Sequence, residues 1–180
     1  MCSFLGQIAY GVLMFICLSL TLGSLFSPGW YSDGKDTHTG IVTCGNNPDL
    51  SDQQNKDLCK KWWDEQPTSI KAVVYLMGAA VLIEIFALFW TLASFCACCC
   101  RSHFLHVLPT AATITAVLLI IAMILFGAKH EIKDLPEKDS NFKKLDSISY
   151  SFWLGIGAIL VAIGASIMGS ITACLSDKCC

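Results

Sequence analysis

The sequence predicts a mainly α membrane protein, a bundle of four transmembrane helices with two loops on one side. Four stretches that carry no charge, or a single one, are long enough to cross a bilayer. About 20 apolar residues cover the roughly 30 Å of hydrocarbon, and we place the helices near residues 5–26, 72–95, 105–127 and 148–174. Backbone amides in lipid must bond within their own segment, so helices are expected. We expect a single domain, residues 1–180.

Composition supports a membrane protein and argues against several other classes. The chain is 54% hydrophobic and 14% charged, and its net charge of −2 is not that of a nucleic-acid-binding protein. The first loop covers residues 27–71 and the second covers residues 128–147, which leaves no room for a soluble domain. Membrane lipid is therefore the expected surrounding, and we expect no nucleic acid, small-molecule substrate or cofactor.

The 11 cysteines are divided unequally between the two membrane faces. Cys44 and Cys59 lie in the first loop, and Cys17 lies within the first span. The other face carries the remaining cysteines: Cys2, Cys96, Cys98, Cys99, Cys100, Cys174, Cys179 and Cys180. An isolated pair is typical of an oxidising compartment, so we predict a disulfide between Cys44 and Cys59. Closing a loop of ~16 residues contributes on the order of 3 kcal/mol.

Thiols crowded at one face indicate the reducing cytosol, so both termini are expected to be cytoplasmic. The ten lysines of the two loops favour the opposite orientation by the positive-inside rule. Twelve acidic residues lie among those lysines, and the cysteine distribution decides our interpretation. Juxtamembrane cysteines are also candidates for S-acylation, and here the candidates are Cys96, Cys98, Cys99, Cys100, Cys174, Cys179 and Cys180.

The cysteine block at residues 96–100 has other interpretations. Its C-x-x-C spacing is found in redox enzymes, but no obvious base accompanies it, and we expect no catalytic activity. A metal site with His103 and His106 is disfavoured, because three consecutive cysteines cannot all face one tetrahedral ion. Unmodified free thiols are the remaining alternative to S-acylation.

Glu84 is the ionisable residue in the middle of a predicted span. Such residues are costly in lipid and are often functional. We expect a protonated or hydrogen-bonded Glu84 that faces Thr113, Thr115 or Gln7 across the bundle, since a lone carboxylate is too little for an ion pathway. The last span carries small residues at three- and four-residue steps, which indicates close packing on a helix of the same bundle or of another subunit; these are Ala158, Ala162, Ala165, Gly169 and Ala173.

The first loop contains the most specific pattern in the chain. A tryptophan, Trp30, follows the first span, and a short box with Gly40, Ile41 and Cys44 comes next. The second cysteine, Cys59, and then Lys71 at the start of the second span complete the pattern.

This pattern resembles the claudin superfamily, which includes the peripheral myelin, epithelial membrane and lens fibre tetraspan proteins. Its members have a Trp after the first span, a Gly-Leu-Trp-x-x-Cys box, a second Cys and a basic residue that opens the second span. Here Val42 replaces the box tryptophan, and Cys44 follows Gly40 one residue early. The final residues also lack the aromatic-valine ending of many claudins. These departures favour a divergent claudin-like member, of invertebrate type.

The resemblance implies a left-handed four-helix bundle capped by a small extracellular antiparallel β-sheet. Residues 37–44 and 58–63 are the β-prone runs of the first loop. Trp30 is then expected either to pack at the membrane interface under the sheet or to contact a partner.

By the same resemblance, the protein is expected at the plasma membrane and at cell–cell junctions. There it would form cell–cell contacts, adhesion sites or a paracellular barrier. It would associate with itself or with another membrane protein through its extracellular loops. The alternative is an auxiliary subunit that alters the gating or trafficking of an ion channel or receptor.

Overall fold

Four long helices make up most of the described chain in this computed structural model. The structure describes residues 2–27, 30–32, 38–39, 60–61, 63–64, 66–96, 106–133 and 150–178. The helices are α1 (Cys2–Phe26), α2 (Thr68–Cys96), α3 (Val107–Lys133) and α4 (Tyr150–Lys178). Each contains a stretch long and apolar enough to cross a membrane, which confirms the prediction of a mainly α protein with four spans.

The helices extend beyond the apolar stretches from which they were predicted. Helix α2 begins at Thr68 rather than at residue 72, because the backbone N–H groups of Ile70 and Lys71 donate to the carbonyl of Pro67, at 2.9 and 3.3 Å. At the same end of the bundle, α3 continues to Lys133 instead of ending at residue 127. The apolar stretch of a sequence indicates only the part of a helix that lies in lipid. The helix itself continues as far as its backbone hydrogen bonds can form, so its ends lie beyond that stretch.

Short strands are present at the start of the first loop. Strands β1 (Tyr31–Ser32) and β2 (His38–Thr39) pair antiparallel, with Tyr31 opposite Thr39 and Ser32 opposite His38. This pair is much smaller than the capping sheet that the resemblance implies, and the cap remains a prediction. Among the described residues of the first loop, this two-residue ladder is the only β-structure.

The predicted strand over residues 58–63 is wrong at the positions that the structure describes. Lys60, Lys61, Trp63 and Asp64 are helical. Lysine and aspartate are depleted in strands, and lysine is a good helix former, so the tryptophans misled the prediction. The backbone N–H of Gln66 donates to the Trp63 carbonyl at 3.2 Å, and this turn leads the chain into α2.

The four helices pack as an up-and-down bundle in which neighbours in sequence are neighbours in space. Helix α1 packs most closely on α4 and less closely on α2, and α3 lies between α2 and α4. Two groups of buried apolar side chains occupy the centre at different depths, one around Trp30, Met77 and Leu119 and the other around Tyr10 and Met14.

Large apolar side chains also cover the outside of the bundle. Leu82 and Phe89 are each 69% exposed, and Leu160 is 66% exposed. A water-soluble monomer rarely exposes contiguous apolar surface on this scale, so lipid is the natural covering.

The two ends of the bundle can be distinguished by what they carry. Helices α1 and α3 finish at the loop-side end, and α2 and α4 finish at the cysteine-rich end.

The small residues of α4 face the interior of the bundle. Ala158, Ala162 and Ala165 have no exposed surface, and Ala173 is 4% exposed. Gly169 lies against the backbone of Pro109 at the start of α3, where an added Cβ would be 3.0 Å from the proline nitrogen. The periodic small residues therefore bring α4 close to its neighbours within the same chain.

We expect Gly169→Ala to lower the thermal stability of the purified protein. The new methyl group would meet proline backbone, which cannot rotate away as a flexible side chain can, so α3 and α4 must separate. Gly164→Ala is the matched control, because an added Cβ there meets nothing within 4 Å. Alanine favours a helix over glycine by about 1 kcal/mol, so the control should be neutral or stabilising. Equal melting temperatures for the two variants would contradict this account.

Candidate functional site

Ser24, in the last turn of α1, joins three parts of the loop-side end. Its carbonyl accepts a hydrogen bond from the indole nitrogen of Trp30 at 2.6 Å. Its hydroxyl donates to the carbonyl of Ser151 in α4 at 2.8 Å. The final carbonyls of a helix have no intrahelical donor, so the indole of Trp30 satisfies one that the helix leaves open. The first loop is thereby fixed to α1 directly after the span.

Aromatic packing holds the Trp30 ring in place. Trp30 is 1% exposed, and its ring meets that of Phe126 edge to face, with centroids 4.7 Å apart. Phe126 in turn lies 6.1 Å from Phe152 of α4, measured between ring centroids. This burial agrees with the packing interpretation of Trp30 and leaves little of the ring for a partner to contact.

A second hydrogen bond at the same end joins the residue that follows α1 to the first residue of α4. The hydroxyl of Ser27 donates to the hydroxyl of Tyr150 at 2.5 Å. Ser27 begins the first loop, and Tyr150 is the first residue of α4, directly after the second loop. We call this group the Trp30 platform, and it consists of Ser24, Ser27, Trp30, Phe126, Tyr150 and Ser151.

Lys71 connects the return of the first loop to α2. Its Nζ donates to the carbonyl of Asp64 at 3.2 Å. One residue earlier, the ring of Trp63 meets that of Tyr75 edge to face, with centroids 6.5 Å apart. Of the resemblance motif, Trp30 and Lys71 thus have structural positions, while Gly40, Ile41, Cys44 and Cys59 lie outside the described residues.

Glu84 lies inside the bundle and has no exposed surface. Its Oε1 accepts hydrogen bonds from Thr21 Oγ1 at 2.9 Å and from Cys17 Sγ at 3.1 Å. Cys17 Sγ is also 3.4 Å from the carbonyl oxygen of Ala158. One carboxyl therefore connects α2 with α1, and the thiol extends the contact to α4.

The number of hydrogens in this cluster favours a neutral carboxyl. The single hydroxyl hydrogen of Thr21 has two acceptors in reach, Glu84 Oε1 and the Cys17 carbonyl, both at 2.9 Å. A protonated carboxyl could donate to Thr21, which would then donate to the Cys17 carbonyl. Glu84 Oε2 is buried and has no hydrogen-bond partner among the described residues, which a charged oxygen tolerates poorly.

The predicted partners of Glu84 were wrong. Thr113 instead forms a hydrogen bond with Ser166 at 2.8 Å, and the amide of Gln7 donates to Ser94 at 3.3 Å. Thr115 Oγ1 has no partner among the described residues. The partners present, Cys17 and Thr21, are four residues apart on one face of α1, and this spacing was the signal in the sequence.

At the cysteine-rich end the structure describes part of the predicted S-acylation sites. Cys96 is the last residue of α2, and Cys174 has an exposed free thiol on α4. The other candidates lie outside the described residues; they are Cys98, Cys99, Cys100, Cys179 and Cys180. Acylation of any of them remains a prediction.

These features define a class of protein, a multi-pass membrane protein in which α1, α3 and α4 are joined by an interlocked set of residues beneath its loops. The family model of claudin-like tight junction proteins matches residues 1–180, the full sequence. The chain therefore belongs to the family of claudin-like tight junction proteins, as the first-loop pattern indicated. Members of this family are structural membrane proteins and not enzymes. No curated protein sequence matches the chain.

We expect Glu84→Gln to keep the bundle close to wild-type stability, because a glutamine amide has the size of a neutral carboxyl and, like it, can both donate and accept a hydrogen bond. Glu84→Leu removes the acceptor and should lower the unfolding free energy by on the order of 1 kcal/mol, since polar pairs in membranes average about 0.6 and reach about 1.7 kcal/mol. Unfolding measurements in lipid bilayers test both variants.

The control is Thr21→Val in each background. The loss of unfolding free energy caused by Thr21→Val should be largest in wild type. It should be smallest in the Glu84→Leu background, because the hydrogen-bond partner of Thr21 is already absent there. A Glu84→Gln variant as unstable as Glu84→Leu would contradict the neutral carboxyl and show that the negative charge itself is required.

Proposed function

We propose that this protein acts in cell–cell contact, adhesion or paracellular barrier formation at the plasma membrane. The observation that carries the proposal is the match of residues 1–180 to a family of tight junction proteins. In this proposal both loops are extracellular and both termini are cytoplasmic. The cysteine-rich end then faces the reducing cytosol, and Cys44 and Cys59 lie in a compartment where they can form a disulfide.

The Trp30 platform supports a role for the loops as one contact surface. The first loop leaves α1 at Ser27, and the second loop enters α4 at Tyr150, and these two residues are hydrogen-bonded. Trp30 is buried beside them against Phe126 at the end of α3. Loops that start from adjacent, fixed points lose less freedom when they bind, so weak contacts gain affinity.

The partner in this proposal is a second copy of the chain, or another membrane protein, on the same or a neighbouring cell. Many copies in two apposed membranes add weak contacts through their high local concentration. Lys60, Lys61 and Asp64 are exposed on the described part of the first loop, close to the start of α2. Charges at the edge of an interface affect the choice of partner and the rate of association more than they affect the affinity.

We expect the protein, expressed alone in non-adherent cells, to concentrate where two expressing cells touch. Reversing both charges with Lys60→Glu and Lys61→Glu should change this enrichment, because it alters the charge that one surface presents to the other. The measurement is the fluorescence of surface-labelled protein at cell contacts relative to free membrane.

The matched control carries Lys60→Arg and Lys61→Arg, which keep both charges and should leave the enrichment as in wild type. A uniform surface distribution of the wild-type protein, against expressing and non-expressing neighbours alike, would contradict adhesion. It would favour the alternative, an auxiliary subunit of an ion channel or receptor.

A further inference from the structure

Four hydroxyl-bearing side chains lie along the seam between α3 and α4, on its lipid-facing side. Thr110 and Thr113 of α3 and Ser170 of α4 are exposed, and Ser166 of α4 is half-buried. The hydroxyls of Thr113 and Ser166 are 2.8 Å apart and join the two helices. We call these four residues the hydroxyl patch. Its oxygen atoms make a polar area on a surface that otherwise faces hydrocarbon.

The packing of α3 on α4 places Thr110 and Ser170 at nearly the same depth. Gly169 of α4 lies against the backbone of Pro109 in α3, so these two residues are opposite each other. Thr110 follows Pro109, and Ser170 follows Gly169. One residue along a helix changes the depth by about 1.5 Å, so Thr110 and Ser170 lie within one helical turn of the same level. They form the end of the hydroxyl patch that is nearest the cysteine-rich end of the bundle.

The chain itself uses the hydroxyl hydrogens of this patch. In three of its residues the hydroxyl donates to the carbonyl four residues earlier in the same helix, at 3.0, 2.7 and 2.9 Å; these are Thr110, Thr113 and Ser170. Because the Thr113 hydrogen is engaged in this way, Ser166 is the donor in the bond between the two helices. Each hydroxyl oxygen has two lone pairs, and within the described part of the chain only the Thr113 oxygen accepts a bond. The patch therefore presents acceptors, and its ligand must supply a donor.

The depth of Thr110 and Ser170 suits a lipid hydroxyl. The spans end at Val107 and Leu175 on this side, and at 1.5 Å of rise per residue the two hydroxyl-bearing residues are about 5 and 8 Å from those ends. The polar region on each side of the hydrocarbon core is itself about 5 to 8 Å thick. The two residues thus lie near the border between the polar region and the hydrocarbon. A lipid whose hydroxyl lies at this level keeps its apolar body within the hydrocarbon.

Toward the middle of the bilayer, β-branched side chains continue the surface of the seam. Val117 and Ile120 follow Thr113 by one and two turns of α3, and Ile163 precedes Ser166 by one turn of α4, so they share the face of the hydroxyl patch. All three are exposed. We call them the β-branched wall. Such side chains are restricted at χ1, so they lose little freedom when a rigid body packs against them.

We infer that the α3–α4 seam binds a membrane sterol. A sterol has a single hydroxyl donor at one end of a rigid apolar ring system, and it matches both parts of the seam. Its hydroxyl donates to the oxygen of Thr110 or Ser170, and its rings lie on the β-branched wall. A second copy of the chain fits less well, because two hydroxyl patches facing each other would bring acceptors together.

The test uses purified full-length protein in phosphatidylcholine bilayers that contain a photoreactive sterol. The probe keeps its free hydroxyl and carries a diazirine on its rings and an alkyne in its tail. Ultraviolet light crosslinks the probe to its neighbours, and peptide mass spectrometry locates the crosslinks. We expect them around residues 117–120 of α3 and 159–163 of α4, and we expect unlabelled cholestanol to displace the probe.

A matched pair of competitors tests the hydrogen bond in the wild-type protein, where no substitution can affect folding. Cholestanone has the rings and tail of cholestanol, but its ketone can accept a hydrogen bond and cannot donate one. It should displace the probe about fivefold less well than cholestanol does, which is the effect of one hydrogen bond of ordinary strength. Dioleoylglycerol carries a hydroxyl on a flexible lipid, and it should displace the probe weakly because it lacks the rigid body.

A matched pair of variants tests the acceptors. Thr110→Val combined with Ser170→Ala removes both oxygens and should lower the labelling about fivefold. Both hydroxyls donate within their own helices, so the contacts between helices remain. Ser19→Ala is the control, because Ser19 is exposed on α1 and its hydroxyl donates to the Phe15 carbonyl at 2.9 Å in the same way. It should be labelled as wild type, and the melting temperature of each variant in the same bilayers verifies its fold.

Four results would overturn the inference. The first is the absence of labelling that cholestanol displaces, which is expected if a second copy of the chain covers the seam. The second is equal displacement by cholestanol and cholestanone, which would show that the sterol hydroxyl donates no hydrogen bond there. The third is wild-type labelling of the folded double variant. The fourth is displacement by dioleoylglycerol as strong as that by cholestanol, which would make the ligand any lipid with a free hydroxyl.

Discussion

The hydrogen bond from the Trp30 indole to the Ser24 carbonyl is the contact on which the loop-side end of the protein depends. A carbonyl at the end of a transmembrane helix has no intrahelical donor, and leaving it buried without one is costly. Trp30 supplies the donor and buries its ring against Phe126. The hydroxyl of Ser24 also bonds Ser151, so one residue ties α1 both to α4 and to the first loop. The family motif tryptophan thus has a physical role at the base of the loops.

Composition predicts the four helices because every segment that crosses lipid must satisfy its backbone hydrogen bonds internally, whatever its detailed sequence. The same argument does not extend to the loops. Residues 58–63 were predicted as a strand from their aromatic content, yet Lys60 and Lys61 are helical in the turn that leads into α2. Inside the bundle, the small residues of α4 indicated close packing correctly, since Ala158 and Ala162 are fully buried. Close packing between helices is the main cohesive force in lipid, and polar pairs add modestly to it.

The positions of buried polar groups could be predicted from the sequence more readily than their partners could. Glu84 stands out in an apolar span, but its contacts depend on the rotation of α1 and α2 about their axes, which composition does not determine. Cys17 and Thr21, one helical turn apart, are the hint that the sequence contained. The motif residues of the first loop other than Trp30 and Lys71 remain predictions.

The central claim is that a fixed platform beneath the loops is required for contact between cells. The most direct measurement is the contact enrichment of Trp30→Leu, compared at equal surface amount with Trp153→Leu. Trp153 is not one of the platform residues and is 54% exposed on α4, so its replacement makes the same chemical change on the outer surface of the bundle. The account predicts that Trp30→Leu reaches the surface but no longer accumulates at contacts, while Trp153→Leu behaves as wild type. Enrichment of Trp30→Leu equal to that of wild type would contradict it.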